Sequence, residues 1–163
     1  MTPEEQFIQL VQMHQALLYK VASLYTATRE DREDLIQEMV YQLWKSFPSF
    51  DARAQISTWM YRVALNVAIH ALRQRQRRIT ALPLQHTFDK SDEPMDQQQE
   101  EQWQQLRTAM QHLSWLERGI LMLHLERKSY SEIADIVGLS TSNIGTRLHR
   151  IRSKLRQRVN AKQ

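Results

Sequence analysis

Apolar residues along the chain recur at spacings of three and four, and no stretch alternates with a period of two. This periodicity predicts helices near 3–26, 30–47, 56–78, 97–112, 115–127, 131–137 and 141–158, and an all-α fold. Start signals sit where the periods begin. Thr2-Pro3 with Glu5, Ser114 with Glu117, and Ser129 with Glu132 each read as a capping box. The period fails across residues 80–96, where Pro83, Ser91 and Pro94 mix with acids. The chain therefore divides into a domain over 1–79, an acidic flexible linker over 80–96 and a domain over 97–163. About 15 flexible residues have a root-mean-square span of roughly 20 Å and stretch to about 50 Å.

Within 129–155, a short helix, a Gly138-Leu139-Ser140 corner and a longer helix follow one another. Gly138 suits the left-handed conformation that ends a helix, and Ser140 suits a cap for the next. Ile144, Leu148, Ile151 and Leu155 bury one face of the second helix. Ser142, Thr146, His149, Arg150 and Ser153 lie opposite, with Asn143 and Arg147 on the flank. Short polar groups followed by arginines suit a major groove. A helical hairpin with a solvated face is the alternative.

Helix 56–78 is drawn with two apolar stripes. Trp59, Met60, Val63, Ala64, Val67 and Ala71 form one; Tyr61, Leu65, Ile69 and Leu72 form the other. A helix apolar on two sides is central to a bundle. The polar edge left over holds Arg62, Asn66 and Arg73, bordered by Trp59, and the helix ends in Arg73, Arg75, Arg77 and Arg78. Rings beside cations suit an unstacked single strand; Trp59 as plain core is an equal reading from pattern alone. In helix 30–47, Ile36, Met39, Val40, Leu43 and Phe47 are expected inside. Asp34, Glu38, Tyr41 and Lys45 are expected outside, with Leu35 off the core stripe. This surface fits a protein partner or simple solvation.

Charge sharpens the picture. The 163 residues carry a formal +4, but residues 89–101 are acidic and no acid follows Asp135. Segregated cations at the chain end suggest a polyanion. The absence of Cys excludes disulfides and thiolate chemistry. The six histidines show no metal-ligand spacing, and no glycine-rich phosphate loop or nucleophile elbow is present. No enzyme, metal or cofactor is expected. No export signal or bilayer span is apparent, so a cytoplasmic protein without membrane insertion is expected.

Three ordered motifs, DREDLIQEMVYQLWKSFPSFD, STWMYRVALNVAIHALRQRQRR and SYSEIADIVGLSTSNIGTRLHRIRSKL, resemble the extracytoplasmic-function class of bacterial RNA polymerase sigma factors. The resemblance implies an alternative sigma factor that directs core RNA polymerase to promoters and helps open them. It implies a region 2-like bundle and a region 4-like helix-turn-helix. Asp34, Leu35, Gln37, Glu38 and Tyr41 would bind polymerase. Arg53, Gln55, Trp59, Arg62, Asn66, Arg73, Arg75, Arg77 and Arg78 would meet the non-template single strand of the −10 element. Ser140, Thr141, Ser142, Asn143, Thr146, Arg147, His149 and Arg150 would meet the −35 duplex. An anti-sigma factor is a further implied partner. Gly145 stands where the family commonly carries Lys. The competing readings are a helix-turn-helix regulator with an N-terminal ligand or dimerisation domain, and a helical adaptor with a basic tail.

Overall fold

The structure is a computed structural model that describes residues 1–51, 53–78 and 97–161; of 76–78, 99–100, 102–104, 106–107 and 159–161 only the helical backbone is described. Among the described residues the fold is all-α, with one 3₁₀ turn. Packing divides the chain into two units, Met1–Asp89 and Lys90–Gln163. The predicted linker, 80–96, lies outside the described residues. No helix among the described residues is long and apolar enough to cross a membrane.

Unit 1 holds α1 (Pro3–Met13), α2 (Gln15–Tyr25), α3 (Arg29–Ser46) and α4 (Ile56–Arg78), with the 3₁₀ turn Phe47–Ser49 between the last two. The single helix expected over 3–26 is two helices. His14 leaves helical geometry at φ −114°, and its N–H is shared between the Leu10 and Val11 carbonyls at 3.2 Å each. The next bond, Leu18 N–H to His14 O, stretches to 3.4 Å. No Gly or Pro marks this break, so composition carried no sign of it.

Helices α2, α3 and α4 pack on one another. Leu17, Leu18, Val21, Ala22 and Tyr25 of α2 meet Met39 and Leu43 of α3 and Met60, Tyr61, Ala64, Leu65 and Ala68 of α4 in the core. The expected stripe on α3 is corrected by about one position around the helix. Its buried residues are Arg32, Leu35, Met39 and Leu43, while Ile36, Val40 and Phe47 are half-buried. Arg32 is buried on that face with its guanidinium over the Tyr19 ring, 4.9 Å from the centroid.

Unit 2 holds α5 (Gln97–Met110), α6 (Trp115–Leu125), α7 (Tyr130–Val137) and α8 (Thr141–Ala161). The capping boxes expected at Thr2, Ser114 and Ser129 all form. Arg118 ties α6 to the end of α5 and the turn after it: its Nε donates to Met110 O at 3.0 Å, which also accepts from Leu113 N–H, and to Leu113 O at 3.3 Å. Helices α6, α7 and α8 pack together through Ile120, Leu123, Ile133, Ile144, Leu148 and Ile151, all essentially inaccessible. Glu117 completes the frame. It caps α6 and accepts from Lys154 Nζ through both oxygens at 2.9 Å, tying α6 to α8. Burial would raise its pKa, but the bonds from Lys154 and from Ser114 outweigh it, and the carboxyl is held below the ordinary glutamate value.

A carboxylate with a depressed pKa stabilises the fold above its unfolded pKa and loses that contribution as pH falls through the folded one. With Lys154 half exposed, the pair is worth about 1 kcal/mol. Lys154→Met is therefore expected to cost about 1 kcal/mol near neutrality, and the gap to the parent chain should close as pH drops below about 4.3. Denaturant melts across that range check it.

Two backbone positions carry residues opposite to their geometry. Arg127 adopts φ +64° while Lys128 N–H closes back to Leu123 O at 3.0 Å, the place in a helix terminus where glycine is favoured. Gly145 sits inside α8 with no positive φ, and an added Cβ would meet only the Tyr130 ring at 3.6 Å, an ordinary contact. Arg127→Gly and Gly145→Ala should each raise stability by about 0.5–1 kcal/mol, read as a higher midpoint in thermal or urea unfolding.

Candidate nucleic-acid interface

The corner between α7 and α8 is built by backbone geometry. Gly138 takes φ +78°, and both its N–H and that of Leu139 return to Ala134 O, at 2.9 and 3.1 Å. Ser140 Oγ then accepts from the Asn143 N–H at 3.2 Å, and Ser140 O accepts from Ile144 N–H. Ser140 is thus the cap of α8. The turn and the buried period Ile144, Leu148 and Ile151 fix which face of α8 remains outside. Thr141, Ser142, Thr146, His149 and Arg150 are exposed there, and Asn143 and Arg147 are half-buried on the flank.

Two bonds organise that face from within. Thr146 Oγ1 donates to Ser142 O at 3.1 Å, and Arg147 Nε donates to Asn143 Oδ1 at 2.8 Å. Further along, Arg152 Nη2 meets His124 Nε2 at 3.0 Å, and Lys154 meets Glu117. The first half of α8 bonds mainly within itself, and the second half bonds back to α6. With no acid on the helix, the outer face is polar first and cationic after.

On α4, Arg62, Asn66, His70 and Arg73 are exposed in one line, and Gln55 is exposed just before the helix. The expected polar edge therefore exists, with His70 as a member that pattern reading did not include. Trp59 is not part of it. It is 9% exposed, with Phe50 at 4.9 Å and Phe47 at 6.3 Å between ring centroids. Phe47 in turn meets Phe7 at 5.4 Å, and Phe7 meets Trp44 at 5.0 Å. Of the two readings open for Trp59, the geometry of this chain is that of the core. The ring packs on Phe47 and Phe50 and, through Phe47, reaches Phe7, the sole buried residue of α1.

The arginine tail is not uniform. Arg75 Nη2 lies 2.6 Å from Asp31 Oδ1, joining the end of α4 to the start of α3. Arg75 is therefore occupied within the unit, a placement the sequence reading missed because the two residues are 44 positions apart. Arg53 is exposed and pairs locally with Asp51, at 3.6 Å. The side chains of Arg77 and Arg78 lie outside the described residues.

On α3, Asp34, Gln37, Glu38 and Tyr41 share the exposed side, with Tyr41 at 56%. Glu38 accepts from Gln42 Nε2 at 3.1 Å. Leu35 is a correction: at 6% exposed it faces the bundle, because Arg32, Leu35, Met39 and Leu43 share one face. The apolar accompaniment to this acidic surface is instead Tyr41 and Trp44, the latter 39% exposed. Trp44 could have been found from its position three after Tyr41, which continues the outer face by one turn.

Comparison with known proteins bears on these surfaces. Residues 10–78 match the family model for Sigma-70 region 2, and residues 103–155 match that for Sigma-70, region 4. The ECF RNA polymerase sigma factor SigG of Mycobacterium tuberculosis is 31% identical over 159 residues. That match takes in 80% of this chain but spans only 42% of SigG's length. The ECF RNA polymerase sigma factor SigM of the same species is 25% identical over 150 residues, covering 91% of this chain and 74% of SigM. Among solved structures, the sigma factor RpoE in complex with the anti-sigma factor NepR from Bartonella quintana has a TM-score of 0.75 at 19% identity, covering 98% of this chain and 99% of that one. That likeness is one of fold.

Burial separates the two kinds of α4 residue and yields an expectation. Trp59→Ala should destabilise unit 1 by about 3–5 kcal/mol, whereas Arg62→Ala and Asn66→Ala should stay within about 0.5 kcal/mol. Chemical denaturation with circular dichroism distinguishes them; equal losses would show that the exposed edge carries the fold.

Proposed function

The chain belongs to the extracytoplasmic-function class of bacterial sigma factors, and from that premise we propose that it binds core RNA polymerase, brings it to specific promoters and helps open the −10 region. The observation that carries the proposal is the pairing of two surfaces in one chain. A capped helix-turn-helix presents the acid-free outer face of its second helix, α8, in unit 2, and α4 presents the exposed line Arg62, Asn66 and Arg73, preceded by Gln55, in unit 1.

In this reading, 1–79 is the polymerase and −10 domain, 80–96 the acidic linker and 97–163 the −35 domain. Asp34, Gln37, Glu38 and Tyr41 dock on the polymerase, joined by Trp44. Leu35 holds the helix in place from inside. Gln55, Arg62, Asn66 and Arg73 take the separated strand, with Arg53 on the preceding loop. Trp59 supports that loop from beneath rather than stacking on a base. Arg77 and Arg78 hold adjoining backbone, and Arg75 does so only by leaving Asp31. Ser142, Thr146, His149 and Arg150 face the −35 groove; Ser140 and Thr141 set the helix start, which favours a phosphate.

The protein carries out no chemistry of its own, since duplex opening requires only that melted bases be held better than stacked ones. One stacking step is worth about 1.4 kcal/mol, and one or two hydrogen bonds to a polar or charged side chain, at about 0.5–3 kcal/mol each, match it. Its place of action is the cytoplasm, with the polymerase and the DNA. The neighbour RpoE is seen with an anti-sigma factor, and an inhibitor of that kind is proposed here too.

The test is transcription by core polymerase plus this chain on a promoter library, run on closed templates and on templates mismatched across the −10 region. Asp34→Lys with Glu38→Lys should reduce co-purification with core enzyme at unchanged helix content. Arg62→Ala with Asn66→Ala should lower transcription from closed duplex by about tenfold or more and be largely rescued on the pre-melted template. Tight, sequence-specific duplex binding without polymerase would favour a repressor-type regulator instead.

A further inference from the structure

Arg75 differs from the other cations of α4 in direction. A helix turns by about 100° per residue, so Arg62, Asn66, His70 and Arg73, at steps of four, four and three, share the exposed line. Ala64, Ala68, Ala71 and Arg75, at steps of four, three and four, share the opposite side. Ala64 and Ala68 are fully buried there, and Ala71 is half-buried. Arg75 thus continues the inner stripe, about 200° round the axis from Arg73. Where that stripe leaves the apolar core it ends on a carboxylate, with Asp31 Oδ1 2.6 Å from Arg75 Nη2.

The carboxylate is itself held in place. Asp31 lies in the first turn of α3, and its N–H donates to Oγ1 of the cap residue Thr28 at 3.1 Å. A negative charge in a first turn is favoured by the helix dipole. Among the described side chains of α4, none beyond Ala68 is buried. Half-buried Ile69, Ala71 and Leu72 continue the packing, and past them the Asp31–Arg75 pair ties the helix to α3.

We propose that Asp31 and Arg75 are positioning residues for capture of the −10 strand. Their bond fixes the course of the end of α4, and so the aim of Arg73 and the arginines after it, while Arg75 keeps to Asp31 when DNA is bound. The inference rests on the −10 role given to α4 above, and it divides the arginine tail by direction: Arg73 outward to the strand, Arg75 inward to the bundle. The two side chains are 39% and 31% exposed, so water screens the bond. Pairs of this kind shift an equilibrium by up to about fivefold, which bounds the effect expected on strand capture.

The experiment is a double-mutant cycle on the full chain with core polymerase. It measures binding of a single-stranded oligonucleotide that carries the −10 non-template strand of a promoter drawn from the library. Asp31→Asn should weaken binding about threefold. Glu30→Gln removes the same charge at the exposed neighbouring position and should not weaken it. Arg75→Met should cost about threefold in the parent chain but no more than about 1.5-fold in the Asp31→Asn background, where the bond is already gone. Asp31→Glu, which keeps a carboxylate for Arg75, should recover most of the binding. If Asp31→Asn tightens binding and Arg75→Met then costs more in that background, Asp31 competes with DNA for Arg75 and the positioning role is wrong. If every variant binds like the parent, the pair serves only the fold of unit 1 and the proposal falls while the −10 reading stands. If the parent takes up no −10 strand at all, the reading of α4 falls, and this inference with it.

Discussion

Helix α4 lies against both α2 and α3, and what unit 1 can offer to a partner is set by what that double burial leaves over. A helix covered on two sides keeps one narrow strip for solvent. In α4 the strip is Arg62, Asn66, His70 and Arg73, while Met60, Ala64, Leu65 and Ala68 are committed to the core. The small residues Ala64 and Ala68 let neighbouring helices approach. The same burial aligns the strip, because side chains four apart can point only where the packing leaves room. The aromatic chain from Phe7 through Phe47 to Trp59 and Phe50 then fastens the loop beside it.

Unit 2 meets a different constraint. Its last helix carries many cations and no acids, which disfavours compactness through mutual repulsion. The remedy is placed in another helix. Glu117 of α6 reaches Lys154, and His124 of α6 lies beside Arg152, so α8 is held at its second half. Stability there comes from the apolar face and from bonds that end turns: Ser114, Ser129 and Ser140 at helix starts, Gly138 and Arg118 at helix ends.

Much of this was legible in the residue pattern, and for identifiable reasons. Capping boxes, the Gly138 corner and the α8 stripe depend on residues within four positions of each other, so spacing alone reports them. The positions that pattern misjudged depend on partners far along the chain or on angles that composition does not encode. Leu35 faces inward with Met39 and Leu43, on a face that also takes in Arg32 over the Tyr19 ring. Arg75 met Asp31 across 44 residues. The break at His14 has no glycine or proline to announce it. Trp59 was ambiguous because a ring that lines a core and one that receives a base have the same spacing; only its neighbours, Phe47 and Phe50, separate the two.

The division of labour along α8 has an evolutionary corollary. The polar side chains of residues 141–150 bond to one another and to the Ser140 cap, whereas anchorage to the rest of the unit falls to the buried Ile144, Leu148 and Ile151 and to the Lys154 and Arg152 contacts. Ser142, Asn143, Thr146, His149 and Arg150 can therefore be rewritten together without disturbing what holds the unit folded. A gene duplicate could drift to a new set of target sequences through a few surface exchanges, passing through intermediates that all still fold. Selectivity in such a scaffold is a replaceable part, and paralogues can diverge in what they recognise faster than in how they are built.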